Sequence, residues 1–522
     1  MRSYFRPPAR LRPLAVGCAA LAGLLHAAAM GNPFDGQPLW WLQLASMAAL
    51  VWLVEASPSP RAAGLLGWTF STAWLTGTFW WLFISMHTYG GLAAPLAVLA
   101  VVGLAAVLAG YYAVMCGIYR RFAPAHPLWR AAMFASGWLL AELARGVWFT
   151  GFPWGASGYA HLDGLGVFAR YIGVYGIGWV AALVAALAVA VLRRGPTLGA
   201  IGPLALVVAL AVAAVALRPA DGVAGRKLTV TLLQGNIPQD EKFEPGTGVA
   251  TSLQWYGEQL DAAKTPLVVA PETALPLLPQ QMPPGYWDAL QKRFSGGTQT
   301  ALVGVPLGNR RDGYTNAVIG LQPGAPAIYE YAKHHLVPFG EFIPPLFRWF
   351  TEMMNIPLGD FNRGAVGQAS MAVDGQRLAP NICYEDLFGE ELGARFADPS
   401  SAPTIFVNLS NIGWFGDSLA IDQHLSISRM RTLEFERPMI RATNTGATAV
   451  IDHHGRVTQA LPRLTRGVLV AEVEGRGRSA AEGWHITPFA WWVSRFGLWP
   501  LWALGLAGLL AGMAARRGAD LD

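Results

Sequence analysis

Apolar residues fall into long runs at one end of this chain and into short ones over most of the rest. Seven long runs precede residue 218, at about 13–30, 39–55, 64–84, 93–119, 127–145, 166–192 and 199–217, and an eighth lies at about 493–514. Most match the roughly 20 residues a helix needs to cross a bilayer. One such run alone could be a buried core helix. Seven in succession, almost without charge, predict membrane spans. The first has an arginine-rich start and ends near Ala27-Ala28-Ala29, as a signal peptide does. Six further spans follow it directly, so it reads as a retained anchor. Between about 219 and 490 the runs shorten to Leu228–Leu233, Pro266–Ala270, Thr300–Val305, Ala317–Leu321, Pro380–Cys383, Thr404–Leu409, Ala447–Ile451 and Gly467–Val473. Helical spacing lies between some of them, at 247–263 and 419–436. Buried strands with intervening helices predict a layered α/β domain. The expected organisation is a membrane domain over 1–218 with seven transmembrane helices, an α/β domain over 219–490, and a last span with a tail over 491–522.

Composition sharpens this division. Of 522 residues 53% are hydrophobic and 14% charged, which excludes a disordered or fibrous chain and argues against a single soluble domain. Residues 1–218 hold 13 arginines, no lysine and four acids, while the remainder holds 25 basic and 29 acidic residues. The overall charge of +5 could suggest nucleic acid as a partner. The basic residues instead sit between apolar runs and do not interleave with aromatics, so no nucleic-acid partner is expected. Arg2, Arg6, Arg10 and Arg12 precede the first run, Arg61 follows the second, Arg120, Arg121 and Arg130 follow the fourth, Arg193 and Arg194 the sixth, and Arg516 and Arg517 the eighth. The intervening loops 31–38, 85–92 and 146–165 lack Lys and Arg, although Arg145 borders the last. Arginines retained on the inner face predict two cytoplasmic termini and a polar domain outside, which in a bacterium is the periplasmic side of the inner membrane. Tryptophans cluster at run ends, as in an interfacial belt (Trp40-Trp41, Trp80-Trp81, Trp491-Trp492). Three cysteines, two of them inside apolar runs, build no disulfide framework.

Three residues of the polar part could carry chemistry. Cys383 ends an apolar run in Asn381-Ile382-Cys383-Tyr384-Glu385-Asp386, where a strand meets an acidic turn. A cysteine nucleophile needs a nearby base or cation, because its reactive form is the thiolate; a lone cysteine is more often structural. Glu272 ends Leu267-Val268-Val269-Ala270-Pro271, and a carboxylate beside apolar residues is expected to have a raised pKa suited to a general base. A solvated loop acid is the alternative. Lys333 lies among aromatics in a stretch running to Phe342 and could stabilise an oxyanion, or be an ordinary surface lysine. His334-His335 and Asp452-His453-His454 lack a partner at metal-ligand spacing, so neither a metal nor another cofactor is expected.

In combination these signals are more specific. The order and settings of Glu272, Lys333 and Cys383 resemble the Glu–Lys–Cys triad of the nitrilase superfamily. Tyr331 to Pro344, and Asn408-Leu409-Ser410-Asn411 running into Trp414-Phe415-Gly416-Asp417-Ser418, extend the likeness. With the apolar runs on either side, nearly the whole chain resembles the bacterial apolipoprotein N-acyltransferases. Gln234 to Gln239, Arg437-Pro438 with Arg441 and Asn444, and Thr487-Pro488 also fit that family. The resemblance implies a nitrilase-like αββα sandwich attached to about eight transmembrane helices. It implies Cys383 as nucleophile, Glu272 as general base and Lys333 as oxyanion-stabilising lysine. It further implies Glu341 as an assisting acid, and Tyr384 and Glu385 as required neighbours of the nucleophile. Trp414, Phe243 and the loop bearing Trp148 would meet substrate. Phe243 stands where the family is expected to have Trp, Ala270 where it often has Trp, and Ile412-Gly413 replaces a more usual acidic-small pair.

The implied reaction moves an acyl chain from a phospholipid, typically phosphatidylethanolamine, to the α-amino group of a diacylglyceryl-cysteine on an apolipoprotein. It passes through a thioester on Cys383. The alternative is a membrane-anchored nitrilase-type amidase or hydrolase, which shares the acyl-enzyme and differs in product. A transporter fits less well: transporter spans carry ionisable groups at mid-depth, and Glu142 and Arg170 both lie near span ends.

Overall fold

The computed structural model describes residues 11–217, 226–325, 327–343, 360–479 and 483–519. Arg2, Arg6, Arg10, Pro344 and the expected boundary at 218/219 lie outside them. The chain divides into two units. One comprises the described residues of Met1–Trp80, Pro95–Arg218 and Leu498–Asp522, the other those of Trp81–Ala94 and Pro219–Gly497.

In the first unit each long apolar run is a helix: Pro13–Met30, Trp40–Ala56, Pro60–Thr78, Ala94–Phe122, Pro127–Val147, Ala169–Arg194, Leu198–Ala216 and Trp499–Ala519. By length and composition four described segments can cross a membrane: Pro13–Met30, Ala94–Phe122, Leu165–Arg194 and Leu198–Ala216. The pair Pro488–Phe496 and Trp499–Arg517, bent by 91°, makes up to a fifth. Pro60–Thr78 and Pro127–Val147 are less apolar because they bury polar groups, Ser71 and Thr78 in one, Glu142 and Arg145 in the other. These buried groups have tasks. Glu142 Oε1 accepts from the Ser157 amide at 2.7 Å. Arg145 Nη1 donates to the carbonyls of Phe152 and Trp154 at 2.6 and 2.8 Å, and its Nε donates to Tyr112 Oη at 3.1 Å. Together they tie the irregular segment after residue 147 to the helices, satisfying backbone groups that lipid could not.

The second unit is built on two six-stranded sheets. The first contains β1 (Lys227–Gln234), β2 (Leu267–Ala270), β3 (Thr300–Asn309), β4 (Gly313–Leu321) and β5 (Tyr329–Ala332). The second contains β6 (Met371–Val373), β7 (Gln376–Ile382), β8 (Ile405–Ser410), β9 (Met439–Thr443), β10 (Ala449–Ile451) and β11 (Val457–Ala460). β12 (Gly467–Glu474) returns to the first sheet, giving the orders β12-β1-β2-β3-β4-β5 and β11-β10-β9-β8-β7-β6. β1, β2 and β3 run parallel, as do β7, β8 and β9.

Strand alternation sends successive side chains to opposite faces. Leu267 and Val269 of β2 therefore pack between the sheets with Leu378, Ile382, Val407 and Ile440. Val268 and Ala270 face outward against Leu253, Tyr256 and Leu260 of helix Ala250–Ala262 and Phe294 of Tyr286–Ser295. On the far side Ala379, Phe406 and Met439 meet Phe435 of helix Leu419–Phe435 and Phe489 of Pro488–Phe496. The result is four layers, helix–sheet–sheet–helix. In an open α/β sheet the carboxyl ends of parallel strands are where ligands bind, and this unit has two such sets of ends.

Candidate active site

Glu272 follows β2, Lys333 follows β5 and Cys383 follows β7, so short strands deliver all three to strand ends. Lys333 Nζ lies 3.4 Å from Glu272 Oε1 and 2.9 Å from the Glu341 carboxylate. Asn316 bridges the two acids, its Nδ2 donating to Glu272 Oε1 and to Glu341 Oε1 at 2.7 Å each. The other oxygen of Glu272 accepts from the Asn411 amide after β8 at 2.8 Å. Glu341 Oε2 accepts from the Val337 amide at 2.8 Å. Glu272, Lys333 and Glu341 are buried, whereas Cys383 keeps partial exposure.

This geometry corrects one sequence expectation. Burial alone would raise the Glu272 carboxyl, but the Lys333 ammonium, Asn316, Lys242 and the Asn411 amide outweigh it and hold the group below its ordinary range. Burial would likewise depress Lys333, yet Glu272 and Glu341 keep its pKa well above the usual value. The Cys383 thiol is pushed up to about 12, first by its low-polarity surroundings and then by Glu272, with Lys333 opposing. At rest the site holds a thiol, a carboxylate and an ammonium.

The backbone at Cys383 is constrained. Cys383 has φ of 52°, a left-handed conformation that costs on the order of 1–3 kcal/mol for a residue with a side chain. Its carbonyl is held by Asn408 Nδ2 at 3.2 Å and His424 Nε2 at 3.1 Å. His424 Nδ1 lies 3.0 Å from Arg441 Nη2, which can only donate. Nδ1 therefore accepts, and the proton sits on Nε2, shared between the Cys383 carbonyl and Asp386 Oδ1 at 2.9 Å. Asp386 is also bonded by Ser428 and lies 3.3 Å from Arg441, and these two partners hold its pKa down together with His424, against the upward effect of burial.

Glu385 shows what an acid close after Cys383 does. Its Oε2 accepts from the Ile382 amide at 2.6 Å and Tyr331 Oη at 2.8 Å, and its Oε1 from the amides of His334 and His335 at 2.6 and 3.2 Å. One carboxylate thus fastens the Cys383 turn to the segment carrying Lys333. Tyr384 is buried against His335 and Phe388 at ring separations of 5.7 and 5.2 Å. Beside Glu272, Gly304 of β3 is required by close approach. A Cβ there would stand 2.3 Å from the Pro271 carbonyl and 2.6 Å from Glu272 Cα.

The residues expected at substrate are spread wider. Trp414 packs edge-on against Tyr89 at 5.9 Å. Phe243 is 38% exposed beside Lys242. Trp148 belongs to the other unit, where it stacks on Trp502 at 6.0 Å. Among the described residues no group of three or more metal-binding side chains converges, and His453 and His454 sit on each other in a turn.

Lys242, Asn316, Asp386 and His424 were not singled out from sequence. Lys242 is buried, donates to the Glu272 carbonyl at 3.2 Å, and is lowered to about 7, chiefly by burial. Its acidic neighbours Glu241 and Glu244 make the stretch read as solvated loop. A polar residue interrupting an apolar strand, Asn316 in Tyr314-Thr315-Asn316-Ala317-Val318, was the usable signal.

The four-layered unit falls in a recognised class: the family model described as Carbon-nitrogen hydrolase matches residues 229–482. A second model, Apolipoprotein N-acyltransferase N-terminal domain, matches residues 22–187. An apolipoprotein N-acyltransferase of Verminephrobacter eiseniae is 61% identical over 92% of this chain and 92% of its own length. Its namesake from Ralstonia nicotianae is 44% identical over 98% and 95%. That of Bordetella bronchiseptica is 41% identical over 96% of each. The chain belongs to the apolipoprotein N-acyltransferase family.

Proposed function

We propose that this protein transfers an acyl chain from a membrane phospholipid to the N-terminal α-amino group of a diacylglyceryl-cysteine on apolipoproteins. Cys383 is the nucleophile, Glu272 the base and Lys333 the oxyanion partner. The observation that carries the reading is the ammonium of Lys333 between two buried carboxylates, at 3.4 Å from Glu272 and 2.9 Å from Glu341, with the strained Cys383 within the electrostatic reach of Glu272 and Lys333.

The chemistry follows from those charge states. Glu272 takes the Cys383 proton as sulfur attacks the ester carbonyl, and Lys333 bears on the oxygen where negative charge develops. With a thiol near 12 facing a carboxylate of lowered pKa, that transfer is uphill until an oxyanion forms beside the ammonium. The thiolate is therefore produced with substrate rather than ahead of it. The ester C–O bond breaks, and the lysophospholipid oxygen leaves with the proton held by Glu272. The acceptor amine then attacks the thioester. The C–S bond breaks, and the amine's proton returns through Glu272 to Cys383 as the amide forms. Glu341 and Asn316 keep Lys333 and Glu272 aligned, and Glu385 keeps Cys383 and Lys333 in register.

Phosphatidylethanolamine is the proposed donor, with Trp414, Phe243 and Trp148 as contacts for its apolar parts. The proposed setting is the bacterial inner membrane, crossed by about eight helices, with cytoplasmic termini and the catalytic domain in the periplasm. Contacts between arginine-bearing helix ends, Arg130 with Glu55 and Arg193 with Glu55, support one shared inner face.

Intact-mass measurement of the full chain incubated with defined phosphatidylethanolamine tests the reading. One acyl increment is expected on Cys383, and a diacylated peptide should discharge it as an amide. Cys383→Ala should show neither step, and full transfer by that variant would overturn the mechanism. Release of free acid in place of acylated peptide would indicate hydrolysis.

A further inference from the structure

A polar cavity of about 320 Å³ opens within the helical unit among Glu55, Tyr119, Arg120, Arg130 and Arg516. These residues come from four helices: Trp40–Ala56, Ala94–Phe122, Pro127–Val147 and Trp499–Ala519. Three arginines face a single carboxylate in the lining. That carboxylate is already shared: Glu55 accepts from Tyr119 Oη at 2.7 Å and lies 3.5 Å from Arg130 and 3.8 Å from Arg193. Two arginines are pre-oriented through Nε, Arg120 on the Ser57 carbonyl at 2.9 Å and Arg130 on the Pro124 carbonyl at 2.8 Å. Anchoring by Nε fixes the plane of a guanidinium and leaves its Nη groups to reach an anion, as Arg130 Nη1 already reaches Glu55 at 3.5 Å; such groups also meet phosphate in a bidentate manner. The cavity sits where these four helices end.

We infer that this cavity is a phosphate-binding site, distinct from the Cys383 centre, that takes the phosphodiester of a phospholipid headgroup or a free phosphate. Its arginines supply charge, its lone carboxylate limits affinity, and the four helix ends are cross-linked when it is filled. The inference does not depend on the proposed acyl transfer.

The test uses the full chain with Cys383→Ala, so that no donor is consumed, delipidated in a neutral detergent. Native mass spectrometry then follows retention of dioleoylphosphatidylglycerol, with dioleoylglycerol as the phosphate-free control. Adding Arg120→Gln with Arg130→Gln should weaken retention of the phospholipid about tenfold or more and leave dioleoylglycerol unaffected. Competition by millimolar inorganic phosphate would assign the site to free phosphate; its absence would assign it to lipid. Equal retention by the double variant, or equal binding of dioleoylglycerol, overturns the inference. Should the double variant fail to fold, Glu55→Gln decides: tighter retention supports the site and unchanged retention overturns it.

Discussion

Both units bury ionisable side chains, and the contrast lies in what those side chains hold. In the helical unit Glu142 and Arg145 spend their hydrogen bonds chiefly on backbone, on the Ser157 amide and on the carbonyls of Phe152 and Trp154. In the sheet unit Glu272, Lys333 and Glu341 spend theirs chiefly on one another and on Asn316. Charge satisfied by backbone pins a segment. Charge satisfied by charge, next to a thiol, stores an electric field that a reaction can use. Burial of an acid or base is therefore not by itself a sign of catalysis; the identity of the partner decides.

Four experiments probe this contrast. The largest effect is expected from Lys333→Met, which leaves two carboxylates facing each other. Adduct formation should fall by about 10²–10³, and loss of the buried cation should cost about 3–5 kcal/mol of stability, read as a lower midpoint of thermal unfolding in detergent. An unchanged midpoint would mean the acids are not held together by Lys333.

Next, His424→Leu removes a tie on the Cys383 carbonyl and should slow adduct formation about ten- to a hundredfold at saturating phospholipid, without shifting the half-saturating concentration. His424→Gln, whose amide can donate to the same carbonyl, should recover part of the loss. A rise in half-saturation alone would make His424 a substrate contact.

Third, the alkylation rate of Cys383 by iodoacetamide should climb about tenfold per pH unit between 7 and 10, with no plateau near an ordinary thiol pKa of about 8.5. The sign for stability is the same physics. The folded thiol holds its proton to about 12 while the unfolded one loses it near about 8.5. The folded state therefore binds more protons between those values. This contribution is complete below about 8.5 and is lost as pH rises toward about 12.

The smallest effect on chemistry is expected from Glu142→Leu. It strands the Ser157 amide and should cost about 1–3 kcal/mol, while each folded molecule still forms the Cys383 adduct at the normal rate. Loss of the adduct in folded protein would break the contrast.

Much of this was legible in the residues. Glu272 and Cys383 each end a short apolar run, Lys333 stands among aromatics, and the two predicted helices recur as Ala250–Ala262 and Leu419–Phe435. What escaped were residues whose polarity hides their burial. β9, Met439–Thr443, is fully buried, yet Arg441 and Thr443 make it look like a loop, because the groups that satisfy Arg441, Asp386 and Ser428 among them, come from elsewhere in the chain. The pKa of Glu272 was misread for the same reason. Its local neighbours are apolar, while the groups that lower it are 44, 61 and 139 residues away.

One short stretch has a consequence in time. Trp81–Ala94 is made before most of the helices, yet belongs to the unit whose other residues, Pro219–Gly497, are made much later. Trp81 Nε1 donates to Gln423 at 3.1 Å across 342 residues, and its ring lies 4.3 Å from Phe415. During synthesis this stretch must wait, without its partners, until most of the ribosome's work is done. No single cut at the 218 boundary yields a whole sheet unit, because the first piece of that unit has already been spun into the other half of the chain. A secreted fragment starting near 226 should come out incomplete around Trp414 and Phe415, and a peptide of residues 81–94 supplied separately is the missing part.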